Sequence, residues 1–103
     1  MTEYAAKRSA NRCPTHPGAV LREDVIPATR RSKTDIAELL GISRQHLHDI
    51  LAEKKPLSPE IAVRVAALFG GGASTWVRMQ GAYDTWHAER AVDVSKIRML
   101  EPA

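Results

Sequence analysis

The sequence predicts an all-α domain, a compact bundle of five helices with little strand, in a chain of 103 residues. Three observations carry this. Apolar residues recur three and four positions apart in five separate stretches, the spacing that collects side chains on one face of a helix. Those stretches are bracketed by residues that start and stop helices. The two stretches in second and third place are joined only by Leu40-Gly41-Ile42-Ser43, so their helices must cross steeply rather than lie side by side.

Residues 1–15 are polar and patternless and read as a flexible N-terminal arm. His16-Pro17-Gly18 is turn chemistry, and Pro17 also suits the first turn of a helix. Val20, Leu21 and either Val25 or Ile26 then fall near one face. Pro27 is expected to end this first helix, because proline lacks the amide donor and crowds the preceding turn.

The second helix starts at Ser32, with Asp35 three residues on in an arrangement like a capping box. Ile36, Ala37, Leu39 and Leu40 form its inward face. Gly41 suits the left-handed position beyond a helix end, and Ser43 caps the third helix, from Arg44 to about Ala52. Leu47, Ile50 and Leu51 point inward there, which leaves Arg44, Gln45, His48 and Asp49 outside.

Ser58-Pro59-Glu60 opens the fourth helix with a cap, a first-turn proline and an acid beside the positive helix end. Ile61, Ala62, Val65, Ala66, Leu68 and Phe69 make it strongly apolar, and Gly70-Gly71-Gly72 stops it. The fifth helix, about Ala73 to Arg90, carries Trp76, Met79, Gln80, Tyr83, Trp86 and His87 at helical spacing. Residues 91–103 form a tail in which Val92, Val94, Ile97 and Met99 suggest a short strand or an extended arm. One domain, residues 16–90, thus lies between an arm and a tail.

Composition narrows the function. No apolar run reaches the roughly 18 to 20 residues that span a bilayer, and residues 1–13 lack the apolar centre of a secretory signal. A single cysteine, Cys13, excludes an internal disulfide. These features point to the cytoplasm and to no membrane. The net charge of +3 is uneven: residues 1–58 hold ten Lys or Arg against seven Asp or Glu, and residues 59–103 hold five of each. The basic excess therefore accompanies the tight helix pair.

A third helix with a polar outer face is built to enter a major groove. Arg44 can donate a bidentate pair to guanine, and Gln45 can pair with adenine. His48 can meet a base edge or a phosphate, and Asp49 can accept from cytosine. Lys33, Lys54 and Lys55 flank this surface, and the amides at the helix starts, Ser43 included, add positive potential for a backbone phosphate. The bland alternative is a solvated helix face.

Catalysis and cofactors find no support in the sequence. His46 and His48 lie about 200° apart around a helix and cannot share a metal ion. Cys13 lacks the paired spacing of a zinc site, and neither a nucleophile elbow nor a phosphate loop is present. The expectation is no enzyme, no metal and no cofactor. The aromatic stripe of the fifth helix exceeds what four short helices can cover. Trp76, Met79, Gln80, Tyr83 and Trp86 are therefore expected to pair two copies of the chain, since tryptophan and tyrosine are enriched where proteins meet.

In order along the chain stand His16-Pro17-Gly18 with Val20-Leu21-Arg22-Glu23, Ile36-Ala37 with Leu40-Gly41-Ile42-Ser43-Arg44-Gln45, Leu57-Ser58-Pro59-Glu60-Ile61-Ala62, and Trp76…Met79-Gln80…Tyr83-Asp84…Trp86. Over residues 16–90 the chain resembles the HigA-type, or VapI-type, antitoxins of bacterial toxin–antitoxin modules, within the Xre or lambda-repressor-like helix-turn-helix class. The resemblance implies a homodimer that binds double-stranded operator DNA in its own promoter. It also implies neutralisation of a HigB-like toxin, an endonuclease of messenger RNA. By position it assigns DNA reading to Arg44, Gln45, His46 and His48. A stand-alone dimeric Xre-type repressor is the alternative. The chain departs from the family pattern at Glu53-Lys54-Lys55, where a glycine-containing turn is usual, and at Gly71-Gly72, which replaces a capping pair.

Overall fold

The computed structural model describes residues 11–101. The expected N-terminal arm lies outside the described residues as far as residue 10, as do the last two residues of the tail. Five helical segments follow between residues 17 and 91. The first, α1, covers residues 17–29 in three continuous parts: Pro17–Val20, Leu21–Val25 and Ile26–Thr29. It is followed by α2 (Lys33–Leu40), α3 (Arg44–Leu51), α4 (Pro59–Phe69) and α5 (Ala73–Ala91). Among the described residues there is no strand, and no helix is long and apolar enough to cross a membrane.

Local chemistry explains most boundaries. Ser32, Ser43 and Ser58 are extended, and each hydroxyl oxygen accepts from the amide three residues on, at 3.0, 3.0 and 3.3 Å. A serine cap of this kind contributes about 1 kcal/mol. At the end of α2, Gly41 is left-handed with φ 74°, and the Ile42 amide reaches back to the Ala37 carbonyl at 3.0 Å. That closure satisfies carbonyls which the helix itself leaves free.

Pro27 does not end α1. The helix widens to π geometry over Leu21–Val25, so the Ile26 amide bonds to the Leu21 carbonyl five residues back. The wider turn gives the proline ring room and absorbs its missing donor. Helical backbone then runs to Thr29, and Arg30 stops it in the left-handed conformation at φ 59°.

The core joins Leu21 and Ile26 of α1, Ile36 and Leu40 of α2, Leu47 and Ile50 of α3, and Ile61 and Val65 of α4, with Leu57 from the preceding loop. Trp76 and Val77 close it from α5 while staying half-buried. α2 packs on α3 and α4, and α4 packs along α5. The tail takes the extended-arm alternative. It turns once at Ser95–Lys96, and Ile97, Met99 and Leu100 are all more than two-thirds exposed.

Candidate nucleic-acid interface

The turn between α2 and α3 is fixed from both sides. Gly41 closes α2, and Ser43 opens α3 two residues later. Arg64 of α4 reaches into the turn, with Nη1 donating to the Leu40 carbonyl at 2.9 Å. A side chain at Gly41 would meet that same nitrogen at 2.8 Å. The left-handed backbone favours glycine here, and a side chain would also push the end of Arg64 off the Leu40 carbonyl.

α3 buries Leu47, Ile50 and Leu51 and turns its other side outward. Arg44, Gln45 and His48 are exposed, and His46 is half-buried on the flank. Ser43 is exposed, and because its oxygen accepts from the His46 amide its own hydroxyl proton stays free to donate. Lys33 and Lys54 are exposed at the start of α2 and just past α3.

Asp49 departs from the expected free, outward carboxylate. Its side chain is only 15% exposed, and both oxygens are occupied. Oδ1 accepts from the Gln45 amide nitrogen at 2.9 Å, and Oδ2 faces Lys55 Nζ at 3.6 Å. The reason is register: Gln45 is one turn away on the same helix, and the chain folds back so that Lys55 returns to it. Asp49 thus orients Gln45, whose carbonyl oxygen remains available, and neutralises Lys55.

The expected dimer residues are largely engaged within the chain. Gln80 is buried; its Oε1 accepts from the Leu57 amide at 2.8 Å, and its Nε2 donates to Asp84 at 2.9 Å. Tyr83 is half-buried, edge-on to His16 at 4.8 Å between ring centroids and beside His87 at 4.4 Å. Arg90 lies 3.6 Å above the Trp86 ring, a cation–π contact, and the Trp86 Nε1 is buried with no acceptor among the described residues. Trp76 and Met79 keep part of their surface exposed. Beside them an apolar groove of about 300 Å³ runs between Pro56, Pro59, Val77 and Gly81, with Asp84 at its edge.

The helix-turn-helix family model matches residues 30–76. Virulence-associated protein I of Dichelobacter nodosus is 33% identical over 87 residues, which span 84% of this chain and 79% of that protein. The chain belongs to the HigA-type (VapI-type) helix-turn-helix family. Two solved relatives extend the likeness. Antitoxin GraA is 27% identical with a TM-score of 0.78, over 84% of this chain and 97% of that one. The Pseudomonas aeruginosa antitoxin HigA, solved with the higBA promoter, is 29% identical with a TM-score of 0.72, over 76% and 85%.

Several residues of this HigA-type fold join the site without a local sequence signal for their place in it. Arg30 and Arg31 stand exposed before the α2 cap, Arg31 paired with Asp35 at 2.7 Å. They add two cations beside Lys33 that the charge excess of the N-terminal half signalled without locating. His16 is 3% exposed; its Nδ1 accepts from the Gly18 amide at 2.8 Å. Burial holds its pKa below the ordinary histidine value, opposed by Glu53, Asp84 and the Lys55 carbonyl. The imidazole is therefore a neutral structural cap, a role that neither turn chemistry nor the family resemblance of His16-Pro17-Gly18 signalled.

Proposed function

We propose that this chain is the antitoxin of a toxin–antitoxin module: a homodimer that represses its own operon by binding operator DNA and neutralises a partner endonuclease toxin. The observation that carries the DNA half is the open outer side of α3. There Arg44, Gln45 and His48 stand exposed beyond a serine-capped helix start, with Lys33 and Lys54 beside them. Arginine and glutamine at those places are the residue types that discriminate guanine and adenine. The relatives described as antitoxins supply the toxin half by analogy, and the HigA relative solved with its promoter supports the DNA half. Two copies joined along α5, through Trp76, Met79, Tyr83 and Trp86 and the groove at Gly81, would set two recognition helices for half-sites roughly 34 Å apart. The reading places the protein in the cytoplasm, where its DNA lies.

The test is co-expression with the product of the adjacent gene, then binding of the purified material to upstream DNA at several salt concentrations. A stable complex, and an affinity that falls steeply with salt, are expected. DNA binding without any captured partner would leave a stand-alone repressor. Absence of binding at low salt would remove the regulator.

A further inference from the structure

The opening motif of the domain converges on one place, the last turn of α3. Gly18 packs so tightly there that an added Cβ would sit 1.9 Å from the Ile50 carbonyl oxygen. Arg22 Nη1 donates to the Leu51 carbonyl at 2.7 Å, and the same nitrogen lies 3.2 Å from Glu53 Oε2. Its Nε donates to Glu23 at 2.7 Å, which holds the guanidinium in place. Glu53 is left-handed at φ 63°, the conformation a glycine-containing turn would take, and it lets the Lys54 amide close on the Asp49 carbonyl at 2.8 Å.

We propose that Arg22 is a positioning residue for DNA recognition: anchored on α1, it sets the tilt at which α3 meets the groove. The proposal rests on the DNA-binding reading of α3. Leu47, Ile50 and Leu51 fix how deeply the helix sits, but apolar contacts are non-directional. The Arg22–Leu51 bond is directional and grips the end opposite Arg44. α3 spans eight residues, about 12 Å. A 10° tilt about its C-terminal end therefore carries Arg44 by about 2 Å, while a base contact tolerates only about 0.5 Å between 2.7 and 3.2 Å. A cation at this negative helix end is also favourable in its own right. Glu53 completes the device, because its left-handed turn brings a carboxylate back to the same guanidinium.

The experiment compares full-length wild type, Arg22→Ala, Arg22→Lys and Glu53→Gln for binding to the upstream operator and to a scrambled duplex of equal length. Backbone hydrogen exchange is measured alongside. Arg22→Ala is expected to lose at least tenfold in operator affinity with the scrambled duplex unchanged. Arg22→Lys, whose ammonium still reaches the Leu51 carbonyl, should return to within about threefold of wild type. The Lys54 and Lys55 amides should exchange faster in Arg22→Ala while those of α4 do not. An unchanged ratio of operator to scrambled affinity, or equal losses on both, would overturn the proposal, since a merely stabilising arginine predicts no change of preference. If Arg22→Ala does not fold, Glu53→Gln decides: a twofold to fivefold fall in the ratio supports the device, and no fall overturns it. If wild type itself shows no operator preference, the regulator reading fails. The exchange data then decide the grip on α3 alone, with selective acceleration at its last turn sustaining it and uniform exchange refuting it.

Discussion

The backbone amide of Leu57 donates to the side-chain oxygen of Gln80 at 2.8 Å, inside the protein and across 23 residues of sequence. This bond ties the loop after α3 to the middle of α5. Gln80→Ala leaves the Leu57 amide without a partner and is expected to cost about 1–3 kcal/mol in urea unfolding. A loss below about 0.5 kcal/mol would mean that water replaces the amide.

Gly18 and Gly81 should respond to alanine in opposite directions. At Gly18 the new Cβ would stand 1.9 Å from a backbone carbonyl, so Gly18→Ala forces α1 off α3 and is expected to lose several kcal/mol. At Gly81 nothing lies within 4 Å, and replacing a helix-interior glycine should stabilise the monomer by about 0.5–1 kcal/mol. Thermal unfolding of the pair checks both signs.

His16 makes stability depend on pH. Its folded pKa lies below the unfolded value near 6.5 because burial disfavours the charged ring. The unfolded chain therefore takes up a proton first as pH falls. Stability from this residue is complete above pH 6.5 and declines as pH falls through 6.5 toward the folded pKa. Unfolding midpoints measured from pH 7 to pH 5 should fall in wild type. His16→Asn, which can still accept from the Gly18 amide, should flatten that part of the profile.

Arg44→Ala is expected to weaken operator binding by about 1–3 kcal/mol and to relax the preference at one base pair. Lys54→Ala should weaken operator and unrelated DNA alike and reduce the salt slope by about 1. Titrations by fluorescence anisotropy at several salt concentrations separate the two. An Arg44→Ala variant with unaltered base preference would remove that side chain from the reading set.

What could be read ahead of the structure follows the range of the forces involved. Ser32, Gly41, Ser43 and Ser58-Pro59 declared their helix boundaries because a cap or a left-handed turn is settled within four residues. The outward side of α3 was legible for the same reason, since the spacing of Leu47, Ile50 and Leu51 determines what faces away. Pro27 misled because a rule about straight helices omits the wider turn at Leu21–Val25 that lets the chain pass. Helical spacing alone sends Asp49 toward DNA and Gln80 toward a second copy; which side chain or amide each engages within the chain is a tertiary matter. Arg22 and Arg64, donors to Leu51 and Leu40, lie 29 and 24 residues from their acceptors, beyond any local pattern.

Gly70 and Gly71 both adopt left-handed backbone, and Gly72 offers α5 no side-chain cap. Among the described residues nothing lies within 4 Å of a Cβ added at Gly70 or Gly71, so no neighbour packs on this connection. The docking of α5 is dictated by Gln80 and the apolar contacts around Trp76 and Val77. One or two extra glycines spliced in at that point should leave every helix where it stands, which makes this the natural place to insert a reporter peptide or a cleavable site.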